Sequence, residues 1–192
     1  HCDLLRSGLR HTPMGRLMPD WPKLVTCMSA SKTFNIAGLH MSAVLIRDDS
    51  ERRRFRARGK ACGMFDPLSM AAHQAAYERG GEWLRQLQAY LDGNVALLAR
   101  FLKEELPEAV FAPPEATYLA WVDLRGCLPG VEDMNAFFLE KAGVVLEGGD
   151  RFFVDDAEGY VRLNLAMPRS QVEKGLVRMR DAIRNQNKGE SK

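Results

Sequence analysis

The chain has 192 residues, 46% of them apolar and 27% charged, which suffices for one or two folded domains with a real core. Its 27 basic and 25 acidic residues leave a net charge of +2, so no overall charge drives it to nucleic acid or to a membrane surface. No apolar run is long enough to span a bilayer, and no signal peptide is recognisable.

Cys2, Cys27, Cys62 and Cys127 are scattered without a C-x-x-C pair, and His1, His11, His40 and His73 lack metal-ligand spacing. That pattern reads as reduced thiols in a cytoplasmic protein, not as a disulfide frame or zinc site. The chain opens on His1-Cys2-Asp3-Leu4-Leu5, without methionine and without an entry turn, so it is expected to be cut from something longer.

Residues 24–28 and 42–46 are short, mostly apolar and partly β-branched, and predict two buried strands of the parallel-sheet type with no evident partner strands. Between them lies Ser29-Ala30-Ser31-Lys32-Thr33-Phe34-Asn35-Ile36-Ala37-Gly38-Leu39, with room for one helical turn. An amine just past a strand end, beside hydroxyls that can grip an anion, suits a Schiff base to a phosphorylated aldehyde cofactor. Ser29 to Lys32 also fits S-x-x-K, an acyl-enzyme nucleophile motif, but the S-D-N and K-T-G runs that accompany it elsewhere are missing.

Glu51 to Lys60 carries Arg52, Arg53, Arg54, Arg56, Arg58 and Lys60. It reads as the solvated face of a short helix; the alternative is a nucleic-acid-binding module, which the lack of an aromatic stacking platform weakens. Gly63 to Pro67 is a connector. A helical region follows from about Ser69 to Leu106, bent or broken at Gly80-Gly81. Leu84, Leu87, Leu91, Val95, Leu98 and Leu102 form one apolar stripe, and Pro107 ends the helix.

Beyond Pro113-Pro114, Tyr118 to Asp123 predicts a strand, Glu132 to Ala142 a helix stopped by Gly143, and Val144 to Leu146 a short strand before a Gly148-Gly149 turn. Tyr160 to Leu165 alternates and so sorts onto two faces. Pro168 precedes a capping box, Ser170-Gln171-Val172-Glu173, opening a helix that buries Val172, Leu176, Met179 and Ile183. The tail from Asn185 is polar and expected to fray.

In this order the lysine run, Ala75-Ala76-Tyr77 with Glu82-Trp83-Leu84, Thr117-Tyr118-Leu119-Ala120-Trp121, and Val161-Arg162-Leu163-Asn164-Leu165-Ala166 resemble the pyridoxal-phosphate (PLP) enzymes of fold type I, the class I/II aminotransferase superfamily. Within it they are most similar to the MalY/PatB type, the cystathionine β-lyases or C–S lyases. The resemblance runs over nearly the whole chain. It implies an α/β fold made of the C-terminal part of a fold type I enzyme: a remnant of the large PLP-binding domain in 1–80, then the long connecting helix and a small α+β domain in 81–192.

By the same resemblance Lys32 bonds the aldehyde of pyridoxal 5'-phosphate, Ser29 and Ser31 lie near its phosphate, and Arg162 binds the substrate α-carboxylate. Read alone, Arg162 is a surface strand arginine in an ordinary ion pair. The implied activity is β-elimination from an amino acid, releasing a thiol, ammonia and a keto acid; the alternative is transamination, which shares the first steps. Relatives of this kind pair as homodimers with shared active sites.

The chain departs from the superfamily pattern in three places. His40 stands where many aminotransferases have a phosphate-binding arginine, Glu115-Ala116-Thr117 replaces Glu-Gly-Thr, and Gly149-Asp150-Arg151-Phe152-Phe153 alters a Gly-x-x-Phe-Gly loop that lies near the substrate in relatives. The aspartate that partners the cofactor ring nitrogen, the phosphate-binding helix and the ring-stacking aromatic lie upstream of the position matching His1. The chain is therefore expected to be a C-terminal fragment that binds PLP weakly or not at all alone and is inactive by itself.

Overall fold

The structure is a computed structural model that describes residues 1–59, 66–152 and 155–190. Lys60, Cys62, Phe153 and most of the Gly63–Pro67 connector lie outside the described residues. Two compact units divide the chain, His1–Gln88 and Ala89–Lys192.

The first unit opens with a short helix, α1 (Met14–Leu17), which the sequence pattern does not signal. Strands β1 (Val25–Met28) and β2 (Ala43–Ile46) form where expected, but their pairing corrects the parallel, partnerless expectation. They pair with each other, antiparallel, in the register Val25↔Ile46 to Met28↔Ala43. Nor are they buried: Val25, Met28 and Leu45 are 40% exposed or more, and only Ile46 is fully covered. β-branched, apolar composition encodes an extended strand but not the direction of its neighbour. That direction comes from the segment between, which doubles back through α2 (Ala30–Thr33), left-handed Asn35, a 3-10 turn at Ala37–Leu39 and left-handed His40.

The arginine-rich segment is helical as expected, α3 (Asp49–Gly59), and buries no residue. Its start is held by Asp48, whose side chain accepts from Glu51 N and Ser50 Oγ and is kept below the usual carboxylate range by those bonds. Next comes α4 (Pro67–Arg79), capped by Asp66, which accepts from the backbone N–H of Leu68 and Ser69, with Pro67 in the first turn.

The break at Gly80 has a packing cause. A Cβ there would lie 2.4 Å from both the Ala76 carbonyl oxygen and the Phe34 ring. Phe34 meets Tyr77 edge-on at 5.4 Å and Trp83 at 5.9 Å between ring centroids. The glycine thus admits the aromatic residue two positions after Lys32.

Helix α5 (Gly81–Glu105) contributes to both units and stops before Pro107. Its stripe of Leu91, Val95, Leu98 and Leu102 is buried, with Leu84 and Leu87 half-buried.

The second unit is a four-stranded antiparallel sheet built from β3 (Val110–Phe111), β4 (Leu119–Asp123), β5 (Glu147–Gly148) and β6 (Tyr160–Asn164), in the spatial order β3-β4-β6-β5. β6 alternates as its sequence demands. Val161 and Leu163 turn into a core with Ala120, Val122, Val95, Leu98 and Leu102 of α5, Phe137 and Phe138 of α6 (Met134–Ala142), and Val172, Leu176, Met179 and Ile183 of α7 (Arg169–Glu190). Asn94 is the polar exception on the α5 stripe. Wholly buried, it donates to the carbonyls of Leu165 and Met167 and accepts from Arg169 Nε. Each of its polar atoms is thereby satisfied, which is what permits its burial.

Four further expectations are corrected here. Val144 to Leu146 is not a strand; the ladder begins immediately after it, at Glu147, and Val145 is 82% exposed. Gly148 belongs to that ladder, so the turn starts at Gly149, which opens a 3-10 turn over Gly149–Phe152. The capping box does not form, because α7 starts two residues earlier, at Arg169: the Pro168 carbonyl accepts from Gln171 and Val172 N–H, leaving Ser170 inside the first turn. The tail does not fray at Asn185; α7 runs on to Glu190, and Asn187 donates to the Cys127 carbonyl.

Candidate active site

In the first unit β1 delivers the chain to Ser29, the N-cap of α2, whose hydroxyl accepts from Ser31 N–H. Ala30 and Thr33, three apart, take the buried face of this short helix, and Thr33 Oγ1 donates to Asp3 Oδ2 at 2.8 Å. Lys32 is thereby left on the open face. It is exposed, and its amine has no ion pair or hydrogen bond among the described residues.

The two serines of the motif are brought together. Ser29 Oγ donates to the Met41 carbonyl at 2.6 Å and lies 2.6 Å from Ser31 Oγ. Because the single Ser29 hydrogen goes to Met41, Ser31 must be the donor between them. Ser29 is locked by three contacts; among the described residues the Ser31 hydroxyl is bound only to Ser29 and can rotate. His40, at the position of the missing arginine, is exposed.

In the second unit Arg162 stands on the outer face of the sheet, with Trp121 opposite it on β4 and Glu147 opposite it on β5. It makes the ion pair that its plain reading anticipates. Arg162 Nε donates to Glu147 Oε2 at 2.6 Å, and Nη2 donates to the same oxygen. Its guanidinium carbon lies 4.4 Å from the centre of the Phe152 ring. Phe152 meets Trp121 edge-on at 5.4 Å, and Trp121 stacks on Tyr160 at 5.5 Å.

At the far end of this row Arg125 lies over Tyr160 and holds both oxygens of Asp123. Those bonds keep the Asp123 carboxyl below its usual range. Sequence reasoning found Arg162 but missed Glu147, Phe152 and Trp121 as its neighbours. The alternation of β6 places Arg162 and Tyr160 on one face, but only the strand register supplies what faces them.

Gly149 makes the Phe152 contact possible. A Cβ there would sit 1.8 Å from the Ala157 carbonyl oxygen, so only glycine lets the turn fold back this tightly. A cavity of about 630 Å³ opens beside this face, lined among others by Arg162, Glu147, Val144, Met167 and Val172.

The three described cysteines are free thiols, and burial pushes Cys127 up to about 11, so it stays protonated at neutral pH. Among the described residues no cluster of His, Cys, Asp and Glu could hold a metal ion, and no helix is long and apolar enough to cross a membrane.

Residues 6–179 match the family described as aminotransferase class I and II. The cystathionine β-lyase PatB of Bacillus subtilis is 36% identical over 186 residues, covering 95% of this chain and 48% of its own length. The protein MalY of Escherichia coli is 33% identical, covering 96% of this chain and 47% of its own. Among solved structures, the PLP-bound C–S lyase of Staphylococcus hominis superposes with a TM-score of 0.90 at 45% identity, over 95% of this chain and 47% of that one. The chain thus spans about half the length of the curated relatives it matches, and over that half it has the α/β fold expected from its motifs. The chain belongs to the class I and II aminotransferase family.

Proposed function

We propose that the protein containing this chain is a pyridoxal 5'-phosphate-dependent C–S β-lyase of the cystathionine β-lyase kind, releasing a thiol, ammonia and a keto acid from an amino acid. Lys32 carries this reading: an amine without a partner among the described residues, one helical turn past a strand end, with the Ser29 and Ser31 hydroxyls 2.6 Å apart just before it. The preference for elimination over transamination rests on the relatives, which are named cystathionine β-lyase and C–S lyase.

The donor set fits the cofactor. The Lys32 amine can hold an aldehyde, and the Ser31 hydroxyl can turn from Ser29 to a phosphate oxygen while Ser29 stays fixed by Met41. When bound, the cofactor supplies an electron sink for the α-carbon of an amino acid. Lys32 is assigned the α-proton as general base, and Arg162 the substrate α-carboxylate through charge-assisted hydrogen bonds. The same proposal includes a large-domain remnant in 1–80, the connecting helix and small domain in 81–192, a homodimer, a cytoplasmic setting, and an amino acid, not nucleic acid, as partner. The 192 residues alone are proposed to bind PLP weakly and to be inactive.

Borohydride trapping with excess PLP, followed by peptide mass mapping, tests this on the chain and on any longer protein that contains it. The phosphopyridoxyl group is expected on the Lys32 peptide ahead of the other lysines, at a lower yield in Ser31→Ala. Labelling spread evenly over the lysines and unaffected by Ser31→Ala would overturn the assignment. On the longer protein, ammonia and thiol released from cystathionine support the lyase, whereas a new amino acid formed from added keto acid identifies the transaminase.

A further inference from the structure

Two arginines decorate the outer face of the second unit's sheet, and their carboxylate partners hold them differently. Arg125 sets its Nε and Nη2 against both oxygens of Asp123. Arg162 sets the same edge against one oxygen, Oε2 of Glu147. A guanidinium has two edges able to grip a carboxylate: the side edge, Nε with Nη2, and the end edge, Nη1 with Nη2. At Arg162 the side edge is taken by Glu147, while on the end edge Nη1 bonds to no described residue and Nη2 keeps its second N–H.

Phe152 covers one face of the group at 4.4 Å, so the plane as well as the edge is set. Both restraints come from a single excursion of the chain. β5 presents Glu147 opposite Arg162 in the ladder, and the Gly149 turn that follows immediately brings the Phe152 ring against the guanidinium.

We propose that Glu147 and Phe152 are positioning residues for Arg162, holding its side edge and plane so that the end edge faces outward for a carboxylate ligand. This rests on the assignment of Arg162 to the substrate carboxylate, and it reads Glu147 as a support, not as a competitor to be displaced. The distinction is physical. An unrestrained arginine has rotamer entropy to lose on binding, and a carboxylate that fixes it beforehand removes much of that cost. Against this, Glu147 brings a negative charge near the incoming anion. Glu147→Gln and Glu147→Ala both lack that charge and differ in the oxygen that holds Nε, so comparing the two isolates positioning from repulsion.

The test is a nuclear magnetic resonance titration of the 192-residue chain with acetate, with acetamide as the uncharged control, observing the Arg162 Nε–H and Nη–H groups. In the wild type the Nε–H proton is expected to exchange slowly and to keep its shift while the Nη signals move with acetate. Glu147→Ala should bind acetate at least about fivefold more weakly than Glu147→Gln, the size expected when part of that entropy must be lost on binding. Phe152→Leu should lose Nε–H protection and weaken binding in the same direction.

Acetate that drives the Nε–H shift to its value in Glu147→Ala would show Glu147 to be displaced, and would overturn the proposal. So would Glu147→Ala binding as tightly as Glu147→Gln. A wild-type Arg162 with a protected Nε–H but no response to acetate would instead sink the carboxylate assignment itself, and the positioning role with it.

Discussion

In Ala89–Lys192 one face of a four-stranded sheet is closed by three helices, whereas in His1–Gln88 a two-stranded ribbon keeps most of its apolar side chains in the open. The second unit contains the large core, with Leu98, Phe138 and Val161 wholly buried. Among its described residues the first has Leu4, Ala30 and Ile46 as its buried apolar side chains, together with Thr33, Ser69 and His73. The two candidate site regions inherit this difference. Arg162 stands on a strand whose alternate residues are anchored in a core. Lys32 stands on a one-turn helix held by a few specific bonds, namely Thr33 to Asp3, Ser29 to Met41 and the Phe34 clamp. A rigid sheet can present a charge by register alone; a short turn has to be held by its own side chains.

The largest effect should come from emptying the second unit's core. Phe138→Ala removes a fully buried ring that packs edge-on against Phe137. It is expected to cost about 3–5 kcal/mol. Leu45→Ala in the ribbon, 52% exposed, should cost about 0.5 kcal/mol or less, since surface changes usually do. Urea unfolding of the two variants reads the contrast, and equal losses would mean that the ribbon is not the open element described here.

How far the sequence announced each region follows the same divide. The second unit's elements were legible because its alternations and helical stripes are answered by a real core: β4, α6, β6 and the α5 stripe fall where the pattern puts them. In the first unit composition marked β1 and β2 but not their antiparallel pairing, which depends on two left-handed residues, Asn35 and His40, inside the lysine segment. β3, two residues long, and α1, four long, are too short to leave a period. At the site, Lys32, Ser29, Ser31 and Arg162 could be picked out as chemical types in a recognisable order. Glu147 and Phe152 could not, because their role comes from a ladder that starts at Glu147, three residues later than Val144–Leu146 suggests.

The next effect sharpens the first unit's side of the comparison. Gly80→Ala places a methyl against the Ala76 carbonyl and the Phe34 ring, neither of which is a flexible chain end. A loss of about 1–3 kcal/mol is expected, the usual range for overpacking. The Phe34 ring should be displaced from Tyr77 and Trp83, visible as altered Trp83 fluorescence. A double variant with Phe34→Leu should recover part of the loss by vacating the space. Full additivity of the two changes would break the claim that this aromatic clamp holds the lysine segment.

The smallest effect concerns acid. Asp123 lies under Arg125, whose hydrogen bonds lower its carboxyl from the ordinary value of 3.8. A carboxyl depressed by folding contributes stability that is complete above its unfolded value and is lost as pH falls through the lower folded value. The loss should therefore begin as pH falls past that ordinary value and deepen as the solution is made more acid. Asp123→Asn should flatten that part of the melting-temperature profile while leaving the pH dependence above it unchanged. The effect is modest because Arg125 is 56% exposed and water screens it. Added salt should shrink it further in the wild type and leave the variant alone, whereas a salt-independent slope would place the acid sensitivity elsewhere, in residues that do not belong to the aromatic and cationic row beside Arg162.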